Sequence, residues 1–260
     1  MERLALEVKH FLLWFVDTHN IPKVTADRKS GGFALMGWSL GNATTFSILG
    51  YPNVVGKEAY QRLEPYLRKI ILYDPPFLAF GYDRPAAPYN ALADPKFLTP
   101  ESAVDNFKYL VSGYYEHPDL GSRYISGLNF DTRGSRASVD NMTEAETALN
   151  FDPVAAGRTE FPMFFQMQPV LKIMAQKSLF DEKLTSEVLP HLEVVHIYCP
   201  KASWYCLWGM IETERQYNEH LKLEHKVRPI RFLEIAGGNH FVHWDDPEGF
   251  FACTVKAINS

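Results

Sequence analysis

Phe33-Ala34-Leu35-Met36-Gly37-Trp38-Ser39-Leu40-Gly41 is the stretch on which the reading of this chain turns. Its first four residues are apolar without alternation, the pattern of a strand buried on both faces, as in a parallel sheet. Residues 42–49 that follow read as a helix. Ser39 therefore stands on a sharp strand-to-helix turn, clear of its own backbone. A serine hydroxyl is a poor nucleophile until a base takes its proton. Gly37 and Gly41, two before and two after, are expected to let strand and helix pass closely. The same turn aims the Leu40 N–H at the place where an oxyanion would form. Three fixed positions alone are a weak signal; the buried strand before them and the helix after them make it a strong one.

Working outward, residues 2–17 place Leu4, Val8, Phe11, Leu12 and Phe15 at spacings of three and four, the apolar stripe of an amphipathic helix. Asn20-Ile21-Pro22 ends it, and a polar loop runs through Gly31-Gly32. A helical stretch at 57–68 leads to a second continuous apolar run, Lys69–Tyr73, closed by Asp74-Pro75-Pro76. Strand pattern returns at Leu192–Cys199 and Ile230–Ile235, with a helix around 208–225 between them. Gly237-Gly238-Asn239-His240 is then a loop. Asp245 or Asp246 caps a closing helix that starts at Pro247. Strands alternating with helices indicate an α/β fold with a parallel sheet. Residues 77–185 read differently, rich in Pro, Tyr and Asn, with helical patches at 101–115, 143–149 and 163–180. The expected division is a core of 1–76 and 186–260 with a helical cap inserted at 77–185.

In these two regions the chain resembles the α/β-hydrolase superfamily. The nucleophile motif matches at Gly37-Trp38-Ser39-Leu40-Gly41. The family's C-terminal histidine loop is similar to Gly237-Gly238-Asn239-His240-Phe241-Val242-His243-Trp244, followed by Asp246-Pro247-Glu248. The resemblance covers both ends of the chain, while the middle matches only the variable cap. It implies Ser39 as nucleophile, an oxyanion site built in part from the Leu40 N–H, and His240 as base, with His243 as the competitor. The loop where the family usually carries its acid, Cys199-Pro200-Lys201-Ala202-Ser203-Trp204, has no carboxylate. Some members place the acid one strand earlier, which points to Asp74; Glu212 is the alternative. Chain order Ser39, Asp74, His240 keeps the family's Ser–Asp–His.

The implied activity is a serine hydrolase that acts on an ester, thioester or related acyl compound through an acyl-Ser39 intermediate. The aromatic cap suggests a small apolar acyl substrate. Serine in place of aspartate argues against epoxide-hydrolase or dehalogenase chemistry. Neither an organic cofactor nor a metal is implied. The rival is a non-catalytic protein of the same fold, a binding module or subunit.

Composition limits the alternatives. The chain has 260 residues, long enough for one large domain or a domain with an insertion. A net charge of −5 without a Lys/Arg cluster argues against a nucleic-acid surface. Three cysteines without Cys-x-x-Cys or Cys/His metal spacing read as reduced, mostly buried thiols. The N-terminal apolar run Phe11–Val16 is too short to span a bilayer, no cleavage site follows it, and Ile258-Asn259-Ser260 is not a peroxisomal address. The cytoplasm is the expected location.

Only 38 residues precede Ser39, and they contain one helix, one loop and one strand. Family members have several strands there, one of which leads into the loop that gives the second oxyanion N–H. Loss of one such donor costs about 2.7–4 kcal/mol of transition-state stabilisation. The serine-bearing strand is then expected to leave a bare edge that invites self-association. The favoured explanation is an incomplete gene product or start-site error, ahead of a covering subunit or a cap folded back over the edge.

Overall fold

The computed structural model describes residues 1–85, 100–131 and 133–259. The rest of the segment read as a cap, residues 86–99 and 132, and the C-terminal residue 260 lie outside them. Four strands form one parallel sheet in the order β1 (Phe33–Trp38), β2 (Leu67–Tyr73), β3 (Glu193–Tyr198) and β4 (Ile230–Glu234). Register runs Met36↔Ile71 and Trp38↔Tyr73 between the first pair, Ile71↔Val195 between the next, and Val195↔Arg231 between the last. Strand ends carrying Trp38, Tyr73, Tyr198 and Glu234 thus lie side by side. The loops that leave them share one edge of the sheet.

Side-chain alternation divides the core in two. Ile70, Leu72 and Val194 face a large cluster with α1 (Glu2–Thr18), α2 (Asn42–Gly50), α4 (Gln168–Leu179) and α5 (Trp204–Lys222). Ile71, Tyr73, Val195 and Ile197 face a smaller cluster with Val242 and Ala257 from the C-terminal segment, against α6 (Pro247–Asn259). The helix α3 (Pro100–Ser112) lies in the segment between β2 and β3. This is a three-layer α/β arrangement, helices on both faces of a parallel sheet. Between the layers, Arg228 is buried just before β4. Its guanidinium donates to the carbonyls of Ser178, Val188 and Leu189 at 3.0, 2.9 and 2.9 Å, tying the end of α4 and the loop before β3 to the last strand. Burial pushes its pKa down to about 10.

Two expectations need correction. β2 is buried along its whole length, but β1 is not buried on both faces: Phe33, Ala34 and Leu35 are half-buried and Met36 is 40% exposed. The reason is position, since β1 pairs with β2 alone among the described residues and forms the edge of the sheet. The stripe on α1 is also displaced. Ala5 and Leu12 are its buried residues, whereas Phe11 turns outward and packs tilted against Trp14 at 5.9 Å between ring centroids.

Within the segment 77–185, α4 does not stand apart from the core. Leu171, Met174, Ala175 and Leu179 are buried in the main cluster, and Ser178 Oγ donates to the Phe46 carbonyl of α2 at 3.2 Å. Gly81 lets the chain cross α4 closely, for a Cβ there would lie 2.3 Å from the Lys172 nitrogen. The helices nearer the strand ends, α3 and Glu160–Phe165, contribute the covering side chains described next.

Candidate active site

β1 ends at Trp38 and the backbone turns at Ser39 with φ 53°, a left-handed conformation that costs a non-glycine residue of order 1–3 kcal/mol. A single helical turn, Ser39–Gly41, runs into α2. The Leu40 amide is among the first N–H groups of this helical segment, which have no intrahelical acceptor. Gly37 is needed for the crossing: a Cβ there would lie 2.4 Å from Thr45 Oγ1 and 2.9 Å from Asn42 Cα. Gly41 is not. Nothing stands within 4 Å of a Cβ at that position, and its φ of −56° suits any residue, so its expected role in close passage does not hold.

β2 ends at Tyr73, and Asp74 also adopts a left-handed φ, 44°. Its backbone N–H donates to the Ile197 carbonyl at 2.8 Å. One carboxylate oxygen accepts from the Cys199 N–H at 3.1 Å, and the other lies 2.6 Å from His240 Nδ1. Both side chains are buried. A carboxylate at that distance accepts the Nδ1 proton, which leaves Nε2 of a neutral imidazole as the basic nitrogen.

The loop carrying His240 is held from three sides. Fully buried Asn239 donates to the Ser112 carbonyl at 2.7 Å and to Ser138 Oγ at 2.8 Å. Trp38 Nε1 donates to the His240 carbonyl at 3.1 Å, a tie from the elbow to the histidine loop. Asp245 accepts from Tyr114 at 2.5 Å and from Ser138 at 2.6 Å. At the elbow, buried Asn42 donates to the carbonyls of Ser39 and Tyr73 at 2.7 and 3.2 Å, joining the ends of β1 and β2. Sequence reasoning missed Asn42 and Asn239. Both flank the recognised motifs, but each also reaches a partner far along the chain, 31 residues away for Asn42 and 127 for Asn239.

The competing residues sit elsewhere. His243 Nδ1 pairs with the Tyr73 hydroxyl at 3.0 Å and its ring packs edge-on to Trp38. Burial, with His240 nearby, pushes its pKa down to about 4. Glu212 on α5 gives both carboxylate oxygens to Arg215, each at 2.7 Å.

Ser39 and His240 line one enclosed cavity, walled by Leu78 beyond β2, Phe107, Leu110 and Val111 of α3, Phe164 and Tyr205. Its free volume is about 30 Å³. Cys206 of α5 also reaches it. The thiol sulfur lies 3.5 Å from His240 Nδ1, and burial followed by the Asp74 charge pushes its pKa well above the ordinary thiol range. No motif marks this thiol, which reaches the imidazole of the histidine loop from α5.

No family model matches the chain, and no curated protein does. Among solved structures it is similar to a bromoperoxidase from Bacillus anthracis, at 14% identity and a TM-score of 0.41, over 87% of this chain and 67% of that one. It is also similar to the peroxisomal α/β-hydrolase Lpx1 from Saccharomyces cerevisiae, at 16% identity and a TM-score of 0.32, over 87% of this chain and 51% of that one. The chain thus spans about two thirds of one relative and half of the other, and its α/β architecture rests on its own parallel sheet.

Proposed function

We propose that this chain is a serine hydrolase of the α/β-hydrolase type that cleaves an ester, thioester or related acyl bond through an acyl-Ser39 intermediate. The observation that carries the reading is the buried 2.6 Å contact between Asp74 and His240, beside a cavity that Ser39 also lines. In this mechanism His240 Nε2 takes the Ser39 proton as Oγ attacks the acyl carbon. The imidazolium so formed is stabilised by the Asp74 carboxylate at Nδ1. The Leu40 N–H donates to the oxyanion, and the proton on Nε2 passes to the leaving group. Water, activated by the same nitrogen, then releases the acid. The apolar walls favour an apolar acyl chain, and Phe107, Leu110, Val111 and Phe164 of the 77–185 segment cover the site.

A second reading, a non-catalytic protein of this fold, draws on the size of the cavity. Small-molecule sites usually enclose about 300–1,000 Å³, and about 30 Å³ admits no acyl substrate unless Phe107 and Phe164 move. Fluorophosphonate labelling separates the two readings. A hydrolase gives one adduct, mapped to Ser39 by peptide mass and absent from Ser39→Ala. A folded protein that takes no label at any concentration rejects the catalytic reading.

A further inference from the structure

Behind the imidazole, on the side away from the basic nitrogen, three different metal-binding groups converge. An Asp74 carboxylate oxygen, His240 Nδ1 and Cys206 Sγ all lie within 4.8 Å of one another, and all three residues are buried. Zinc binds sulfur at about 2.3 Å, imidazole nitrogen at about 2.0–2.1 Å and carboxylate oxygen at about 2.0–2.2 Å, so tetrahedral ligands stand roughly 3.3–3.6 Å apart. The sulfur-to-nitrogen edge is already 3.5 Å. The oxygen-to-nitrogen edge, now a 2.6 Å hydrogen bond, needs to open by no more than about 1 Å.

We propose that Asp74, Cys206 and His240 form a binding site for Zn²⁺ whose occupation switches the site off. The donor set of one thiolate, one imidazole and one carboxylate suits zinc and excludes magnesium or calcium, which take oxygen ligands. Cys206 and His240 both line the cavity that holds Ser39, so two of the three groups border that space. Binding releases one proton, from the Cys206 thiol, while the single ring proton of the neutral imidazole shifts from Nδ1 to Nε2 through solvent. The metal then occupies the nitrogen that must keep its proton when the imidazole becomes charged, and it takes the carboxylate that stabilises that charge. His240 is left unable to accept a proton from Ser39. The metal site itself stands on geometry alone; its inhibitory consequence rests on the hydrolase reading above.

Co²⁺ serves as a spectroscopic probe on the full chain after dialysis against a chelator. The exposed His220–His225 pair, 3.0 Å apart at Nδ1, is a competing metal site, so a His225→Gln background is used throughout. Cobalt is expected to give a near-ultraviolet thiolate-to-metal band that Zn²⁺ abolishes and Mg²⁺ does not. The band should disappear in Cys206→Ser and in His240→Gln, which keeps the thiol, with folding checked by near-ultraviolet circular dichroism. Cys206→Ala replaces the serine variant if that one is unfolded. Zinc should block fluorophosphonate labelling of Ser39. Cys206→Ser, measured against its own metal-free rate, should raise the zinc needed by more than the roughly 10–100-fold seen for residues that only support a ligand. No cobalt band in the parent protein, or a band that survives loss of Cys206 or His240, overturns the site. A protein that takes no label without metal but shows the cobalt band loses the hydrolase reading and keeps the zinc site.

Discussion

At the scale of single residues, the site depends on a few contacts that substitution can separate. Asp74→Asn leaves shape nearly unchanged but removes the charge that opposes the imidazolium and disturbs the proton on Nδ1. It is expected to slow Ser39 labelling by about four orders of magnitude, whereas Glu212→Gln, which disturbs contacts with Arg215 and Gln216, should stay within a few-fold of the parent. The elbow glycines should part company too. Gly37→Ala forces a methyl into Thr45 and Asn42 and should destabilise the fold by about 1–3 kcal/mol, as overpacking does. Gly41→Ala meets nothing and has a compatible backbone, so it should gain about 0.4–1 kcal/mol. Urea titrations of both variants check the pair. Much of this was legible beforehand. Ser39 and His240 sit in local motifs, and Asp74 stood out because the usual loop, 199–204, holds no carboxylate. Gly41 was misread because a motif records residue types and not which neighbours surround them. Cys206 was invisible, since its nearness to His240 exists only once α5 is packed.

At the scale of elements, strand boundaries followed from apolar runs, but burial did not. Phe33–Met36 carries the same kind of text as Lys69–Tyr73, yet one is an edge strand and the other lies fully inside. Which strand has a second neighbour is a property of the sheet. The interior strand β3 carries a titratable liability: His196 is fully buried between Phe80 and Phe232, and neither ring nitrogen has a hydrogen-bond partner. Desolvation pushes its pKa down to about 3. In the unfolded chain a histidine binds its proton near pH 6.5. Below that pH the unfolded state therefore holds a proton that the native state refuses, and stability falls with pH until about 3. His243, pushed to about 4, adds the same sign over a narrower window. Above pH 6.5 neither group contributes a slope. His196→Leu should raise stability at neutral pH by about 1 kcal/mol, by removing an unsatisfied polar group, and make the acid-side decline shallower. Thermal melts between about pH 4 and 7 on the parent and the variant test both statements. An unchanged slope would mean that His196 is hydrated in solution.

At the scale of the whole molecule, the two layers of core and the shared edge of strand ends explain why residues from four separate segments meet. Trp38, Asn42, Asn239 and Asp245 join the elbow, the β2 end, the histidine loop and the segment around 112–138 into one hydrogen-bonded frame. No helix of the described residues is long and apolar enough to cross a membrane. β1 is the end strand of the sheet among the described residues, and we propose its free edge as the place where a second copy of the chain would pair. Sedimentation over a range of concentrations is expected to show self-association, and Met36→Lys, a charge on the edge, should oppose it. β1 is also the strand that leads into Ser39. A copy seated along its outer side would grip the backbone that sets the serine's left-handed turn, so docking and reactivity would be two readings of one equilibrium. Dilution would then change how fast each molecule reacts, and the nucleophile would report on the company its strand keeps.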